Sequence, residues 1–156
     1  MDNAKERIKI IVTNRKARHL YHILDTYEAG LVLVGTEVKS LREGKVNISD
    51  SYAVIKKREA YLIGLHISPY SKGNIENHDP TRRRKLLLRK REITKLFSKT
   101  QERGLTLIPL KLYFKGPYVK VELGLVKGKQ LFDRREDIKK READREARRA
   151  KKYRQY

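Results

Sequence analysis

No cysteine occurs among the 156 residues, which excludes a disulfide framework, a thiolate metal site and a cysteine nucleophile. A chain of this kind is expected in a reducing cytoplasm. Eighteen consecutive apolar residues occur nowhere, and Met1 to Ile11 lacks the continuous apolar region of a signal peptide, so neither a spanning helix nor a secretory leader is expected. No stretch sets large apolar residues opposite a basic helical face, which argues against a membrane surface as partner. Internal repeats are absent, excluding solenoids and tandem modules. The sequence has no HExxH pair, and Gly35 to Lys45 (GTEVKSLREGK) lacks the Gly-Lys-Ser/Thr ending of a phosphate-binding loop. His19 and His22 stand three residues apart with no third ligand in register, and the acid pairs Asp25 with Glu28 and Glu37 with Glu43 have no nucleophile beside them. The chain is therefore expected to be no enzyme and to need no cofactor and no metal.

Acidic residues are also scarce. The 39 Lys+Arg against 19 Asp+Glu give a formal net charge of +20 and a pI near 10.2. Such a field repels itself unless a polyanion neutralises it, and with membranes set aside that polyanion is nucleic acid. The length suits one hydrophobic core with appendages.

Along the chain, Ile8 to Val12 leads into a basic cluster, Asn14, Arg15, Lys16, Arg18 and His19, read as a short helix. Tyr21 to Val34 reads as extended structure bent near Gly30 and ended by Gly35. Thr36 is the expected cap of a short helix over Glu37 to Arg42, with Gly44 closing it. Ser51 to Lys56 and Ala60 to Leu65 read as strands joined by the tip Lys57-Arg58-Glu59. Asp79-Pro80 has the form of a helix start, predicting a helix to about Arg103 with Arg82 to Arg91 on its positive face. Leu105 to Phe114 and Tyr118 to Val126 form a predicted hairpin around Lys115-Gly116-Pro117, with Val119, Val121, Leu123 and Leu125 turned inward. Cations of the first cluster lie beside Tyr21 and Tyr27, the mixture of phosphate contacts and stacking rings found in RNA binders.

After residue 126 the composition changes. Lys127 to Tyr156 holds 13 Lys+Arg and 6 Asp+Glu but few large apolar residues. It cannot bury enough surface to fold alone, although Glu136 with Lys140, Asp137 with Arg141 and Asp144 with Arg148 favour a helix. The expected organisation is an RNA-binding domain over 1–126 and, over 127–156, a basic tail that is disordered when free and helical on its partner.

Five blocks in order, NRKARHLY (Asn14 to Tyr21), DTYEAGLVLVGTEVKSLREGKVNISDSYA (Asp25 to Ala53), HDPTRRRKLLL (His78 to Leu88), GLTLIPLKLYF (Gly104 to Phe114) and GLVKGKQLFDRRED (Gly124 to Asp137), together resemble the SmpB (small protein B, SsrA-binding) family. The resemblance implies a mainly β fold, a small closed antiparallel β-barrel of the OB type with about three peripheral helices. It implies a monomer that binds the tRNA-like domain of transfer-messenger RNA and reaches stalled ribosomes for trans-translation and rescue. Elongation factor Tu is an indirect partner through the aminoacylated RNA. Carried onto matching positions, RNA binding falls on Asn14, Arg15, Lys16, Arg18, His19, Glu28, Glu37, Lys39, Ser40, Arg42 and Leu87. The tail residues implied to meet the ribosome and its RNA are Lys127, Lys129, Phe132, Asp133, Arg134, Arg135, Lys139 and Lys140. Phe132 stands where the family often carries His or Tyr, keeping a ring but losing its polar tip. A structural ribosomal protein and a metal-dependent ribonuclease are the alternative readings.

Overall fold

Burial alternates along Tyr118 to Leu123, and up to residue 128 strands outweigh helices among the described residues. The structure, a computed structural model, describes residues 7–72, 77–129 and 131–153, the side chains of Leu131, Phe132, Asp133 and Tyr153 excepted. Nine strands and four helices occur among these residues: β1 (Ile8–Thr13), α1 (Arg15–Leu20), β2 (Tyr21–Leu31), α2 (Gly35–Arg42), β3 (Val46–Asn47), β4 (Tyr52–Lys56), β5 (Glu59–Ile63), β6 (His66–Ile67), β7 (Arg84–Leu87), α3 (Lys90–Thr100), β8 (Leu105–Lys115), β9 (Tyr118–Gly128) and α4 (Leu131–Tyr153). A large antiparallel sheet of seven strands runs β1-β8-β4-β5-β7-β2-β9, with β8 also paired to β9, and β3 pairs with β6 in a small ribbon.

The β8–β9 hairpin matches its alternation: Val119, Val121, Leu123 and Leu125 are all buried, as predicted. They join Leu62, Leu86, Leu107 and Leu112 in the main core, which α3 closes with the fully buried Leu96. A smaller cluster lies on the other face of β8 and β9, where Ile108, Leu110 and Val126 cover Ala17 of α1. The register of β8 against β9 slips between Pro109 and Lys111, so Leu110 has no partner of its own. Leu110 instead lies over Gly124, where a Cβ would come within 2.9 Å of its side chain. That close approach requires glycine.

The sequence differs from the structure at three places. The helix expected from Pro80 to Arg103 is divided. Arg84 to Leu87 is strand β7 with alternating burial, and the helix is confined to Lys90–Thr100. Asp79 accepts a hydrogen bond from the Thr81 N–H at 3.1 Å, which makes it a turn residue rather than the cap of a long helix. Thr36 does not cap α2. Gly35 opens that helix, Glu37 Oε1 reaches back to the Val34 N–H at 2.9 Å, and Thr36 Oγ1 bonds His78 Nδ1 at 2.9 Å. The β4–β5 turn is two residues, Lys57 and Arg58, at φ of +51° and +63°, with Glu59 already in the strand.

Candidate nucleic-acid interface

Helix α1 is only six residues long, too short to persist by propensity, so its position depends on what anchors it. Asn14 provides the anchor. Its Oδ1 accepts from the Ala17 N–H at 3.3 Å as an N-cap, its Nδ2 donates to the Pro109 carbonyl at 2.9 Å, and its N–H donates to the Leu110 carbonyl at 2.7 Å. The irregularity in β8 therefore supplies the carbonyls that fix the helix. With Ala17 turned inward, Arg15, Lys16 and Arg18 are exposed and His19 is half-buried. A cleft of about 380 Å³ separates this basic face from the segment before β4, with Lys16, Tyr21, Asp50 and Tyr52 among its walls.

Helix α2 divides its residues by spacing. Glu37, Ser40 and Leu41 face inward, at i, i+3 and i+4, while Lys39 and Arg42 are exposed. Glu37 is 0% exposed and joins Arg82 at 2.6 Å and the equally buried Arg84 at 2.5 Å. Arg84 also donates to the carbonyls of Leu65 at 2.6 Å and Pro80 at 3.1 Å. Burial pushes the Glu37 carboxyl up, but the donors from Arg82, the Val34 N–H and Arg84 together outweigh it and hold the group below its ordinary value. Ser40 donates to the Ser68 carbonyl at 2.7 Å. Lys39 Nζ stands 5.5 Å from the Tyr70 ring centre.

Glu28, on β2, is exposed and accepts from the Tyr113 hydroxyl and from Lys115 Nζ at 3.1 Å. The Tyr113 bond holds the Glu28 carboxyl below its usual value, while burial and Glu28 push the Tyr113 phenol up. Leu87 is 54% exposed and lies opposite Gly30 in the β2–β7 ladder. At the tail's root Lys127 is exposed, whereas the Lys129 side chain is 8% exposed. Lys129 donates its N–H to the Leu20 carbonyl at 2.8 Å and its Nζ to the Arg18 carbonyl at 3.0 Å and to Asp137. Arg134 is half-buried, and Arg135, Lys139 and Lys140 are exposed on α4. The side chains of Phe132 and Asp133 lie outside the described residues.

Residues 11–153 match the family model described as SmpB protein. The chain belongs to the SmpB family. It is 61% identical over 142 residues to the SsrA-binding protein of Carboxydothermus hydrogenoformans, covering 91% of this chain and 95% of that one. It is 55% identical over 153 residues to the SsrA-binding protein of Microcystis aeruginosa, covering 97% and 99%. Among solved structures, one described as "tmRNA-SmpB: a journey to the center of the bacterial ribosome" superposes with a TM-score of 0.66 at 55% identity, covering 77% of this chain and 85% of that one.

Within this SmpB-family chain the sequence-predicted residues fall into two classes. Arg15, Lys16, Arg18, Glu28, Lys39, Arg42 and Leu87 are accessible and His19 partly so, whereas Asn14, Glu37 and Ser40 are buried and offer a partner almost no surface. The buried three hold α1 and α2 in place. Sequence reasoning missed Arg82 and Arg84 as the partners of Glu37, because the 45- and 47-residue separations leave no local signal. It also missed His78, whose Nε2 bonds the Ile67 carbonyl at 2.8 Å while Nδ1 bonds Thr36.

Proposed function

We propose that this protein binds the tRNA-like domain of transfer-messenger RNA (SsrA) and delivers it to stalled ribosomes, where trans-translation tags the nascent chain and frees the ribosome. The observation that carries the reading is the 61% identity to an SsrA-binding protein over 91% of the chain. The exposed cations of α1 and α2 support it, because sequence-independent phosphate contacts need accessible Lys and Arg on a rigid support. In this reading Arg15, Lys16, Arg18, His19, Lys39 and Arg42 meet RNA, Glu28 and Leu87 extend that surface, and Asn14, Glu37 and Ser40 position it.

The pairings run from β8 through β4, β5, β7, β2 and β9 back to β8, and this supports a small closed barrel of the oligonucleotide-binding type. The protein acts as a monomeric carrier in the cytoplasm and performs no chemistry itself. Elongation factor Tu joins through the aminoacylated RNA. No helix among the described residues is long and apolar enough to cross a membrane. The tail, through Lys127, Phe132, Asp133, Arg134, Arg135, Lys139 and Lys140, is the ribosome-contacting part, and Lys129, its side chain buried, positions the root. Beyond its root it is ordered by that partner, since its exposed α4 surface carries little apolar area to fold it alone.

Sequencing the RNA that co-purifies with the protein at moderate salt tests the reading. One structured RNA with a tRNA-like end is the expected product. Ribosomal RNA retained through stringent salt washing would instead identify a structural ribosomal protein.

A further inference from the structure

On the surface between α3 and the β4–β5 turn lies a groove of about 630 Å³ that shares no residue with the clefts beside α1. Ile55, Ile93 and Phe97 form its apolar walls, and Lys57, Arg58 and Lys90 its charged rim. Phe97 is 50% exposed and stands beside Ile55 and Ile93, so its ring is open to a ligand in the groove. All three rim cations are exposed, and among the described residues none of them takes part in an ion pair. The acids closest to these cations in sequence, Glu59 and Glu92, are engaged elsewhere. Glu59 accepts from Tyr61 and Lys85, and Glu92 accepts from the Arg89 N–H.

The turn adds a second, independent observation. Its conformation, with positive φ at both central residues, is one that Asn-Gly adopts without strain, yet the positions hold Lys57 and Arg58. Lys and Arg, unlike Asn and Gly, are disfavoured there, and strain of this kind gathers at binding sites. The strain sets two cations beside an aromatic ring.

We propose that this groove is a nucleotide subsite, in which an unpaired RNA base stacks on Phe97 and its flanking phosphates lie on Lys57, Arg58 and Lys90. Charge complementarity selects the occupant: a rim of three cations with no lining carboxylate fits a phosphodiester backbone. Ring and cations together are the two parts from which single-stranded nucleic-acid sites are built. The proposal rests on the RNA-binding reading of the protein and adds a second point of contact, remote from α1 in sequence and separate from its clefts.

Because the chain has no tryptophan, Phe97→Trp places a single fluorescent reporter in the groove. The full-length variant is titrated with a tRNA-like RNA, with a short single-stranded RNA and with an acidic peptide containing one phenylalanine. Quenching by both RNAs is expected. In otherwise wild-type protein Phe97→Ala should weaken binding of the short strand by about tenfold, the scale of one lost base stack. Lys57→Asn with Arg58→Gly keeps the turn geometry while removing both charges, and should abolish quenching by the short strand with an unchanged circular dichroism spectrum. If the tRNA-like RNA binds by gel shift and neither RNA alters the fluorescence, the subsite is refuted while the RNA-binding reading stands. Quenching by the peptide alone would refute it in favour of a protein-docking groove, and absence of any RNA binding would overturn both readings together.

Discussion

Removing the Glu37 carboxylate leaves two guanidinium groups, from Arg82 and Arg84, facing each other with no counter-charge between them. Breaking one side of a buried ion pair is far costlier than losing a surface bridge. Glu37→Gln should therefore lower stability by about 3 kcal/mol, read as a shift in the urea midpoint. The pH dependence has a definite sign. The folded-state carboxyl is held below the ordinary value of 4.5, so its contribution is complete above that value and is lost as pH falls through the lower folded-state one. The stability gap between wild type and Glu37→Gln should be constant near neutrality and should narrow below about pH 4.5. A gap unchanged down to pH 3 would show that charge is not what Glu37 contributes.

At the scale of elements, α1 separates binding from folding. Replacing Arg15, Lys16 and Arg18 together by alanine removes exposed charge but leaves Asn14 and Ala17 in place. RNA affinity should fall sharply while the circular dichroism spectrum stays near wild type. The slope of log affinity against log salt should decrease by roughly 0.7 to 0.9 for each phosphate no longer neutralised. Asn14→Ala acts in the opposite order: losing the cap should cost about 1 kcal/mol of stability and weaken RNA binding only as α1 loosens. Normal binding by the triple variant would mean that the block is merely solvated.

The same elements show how far the sequence could be read. The hairpin of β8 and β9 was legible because alternation along Tyr118 to Val126 is a local signal. The α2 surface was reached only through the family resemblance, which carried RNA binding onto Lys39 and Arg42 but equally onto Glu37 and Ser40, both of which the structure buries. The stretch from Arg82 to Leu88 was misread, because three arginines before leucines look like a charged helix until Glu37 supplies a partner that lets Arg84 turn inward as a strand residue. Distant pairing of that kind has no trace in spacing. Likewise Asn14 was recognised as part of the basic block, but its hydrogen bonds to Pro109 and Leu110 depend on a slip in β8 that no pattern announces.

At the scale of the molecule, the two proposed tasks are assigned to different parts of the chain. A protein ending at Lys127 keeps almost all of the sheet and all of the α1 and α2 cations, so it should still bind transfer-messenger RNA, with affinity lowered modestly by the smaller overall charge. Peptide tagging by that truncated protein should fail. Phe132→Ala should spare RNA binding while weakening ribosome engagement by roughly 1 to 3 kcal/mol if its ring stacks on a base. A truncated protein that tags at the wild-type rate would dissolve the division of labour.

Lys129 gives that division a mechanical side. Its N–H and Nζ hold the start of the tail to the last carbonyls of α1, so the long helix departs from the very element that carries the first basic block. At 1.5 Å per residue, α4 is a rod of roughly 35 Å clamped at one end. Tilting its mount by ten degrees would sweep the free tip through about 6 Å, more than one helical turn. In the proposed reading, once the ribosome has ordered α4, a small adjustment where α1 meets RNA would be geared up at the far end of the rod, with Lys129 as the bearing.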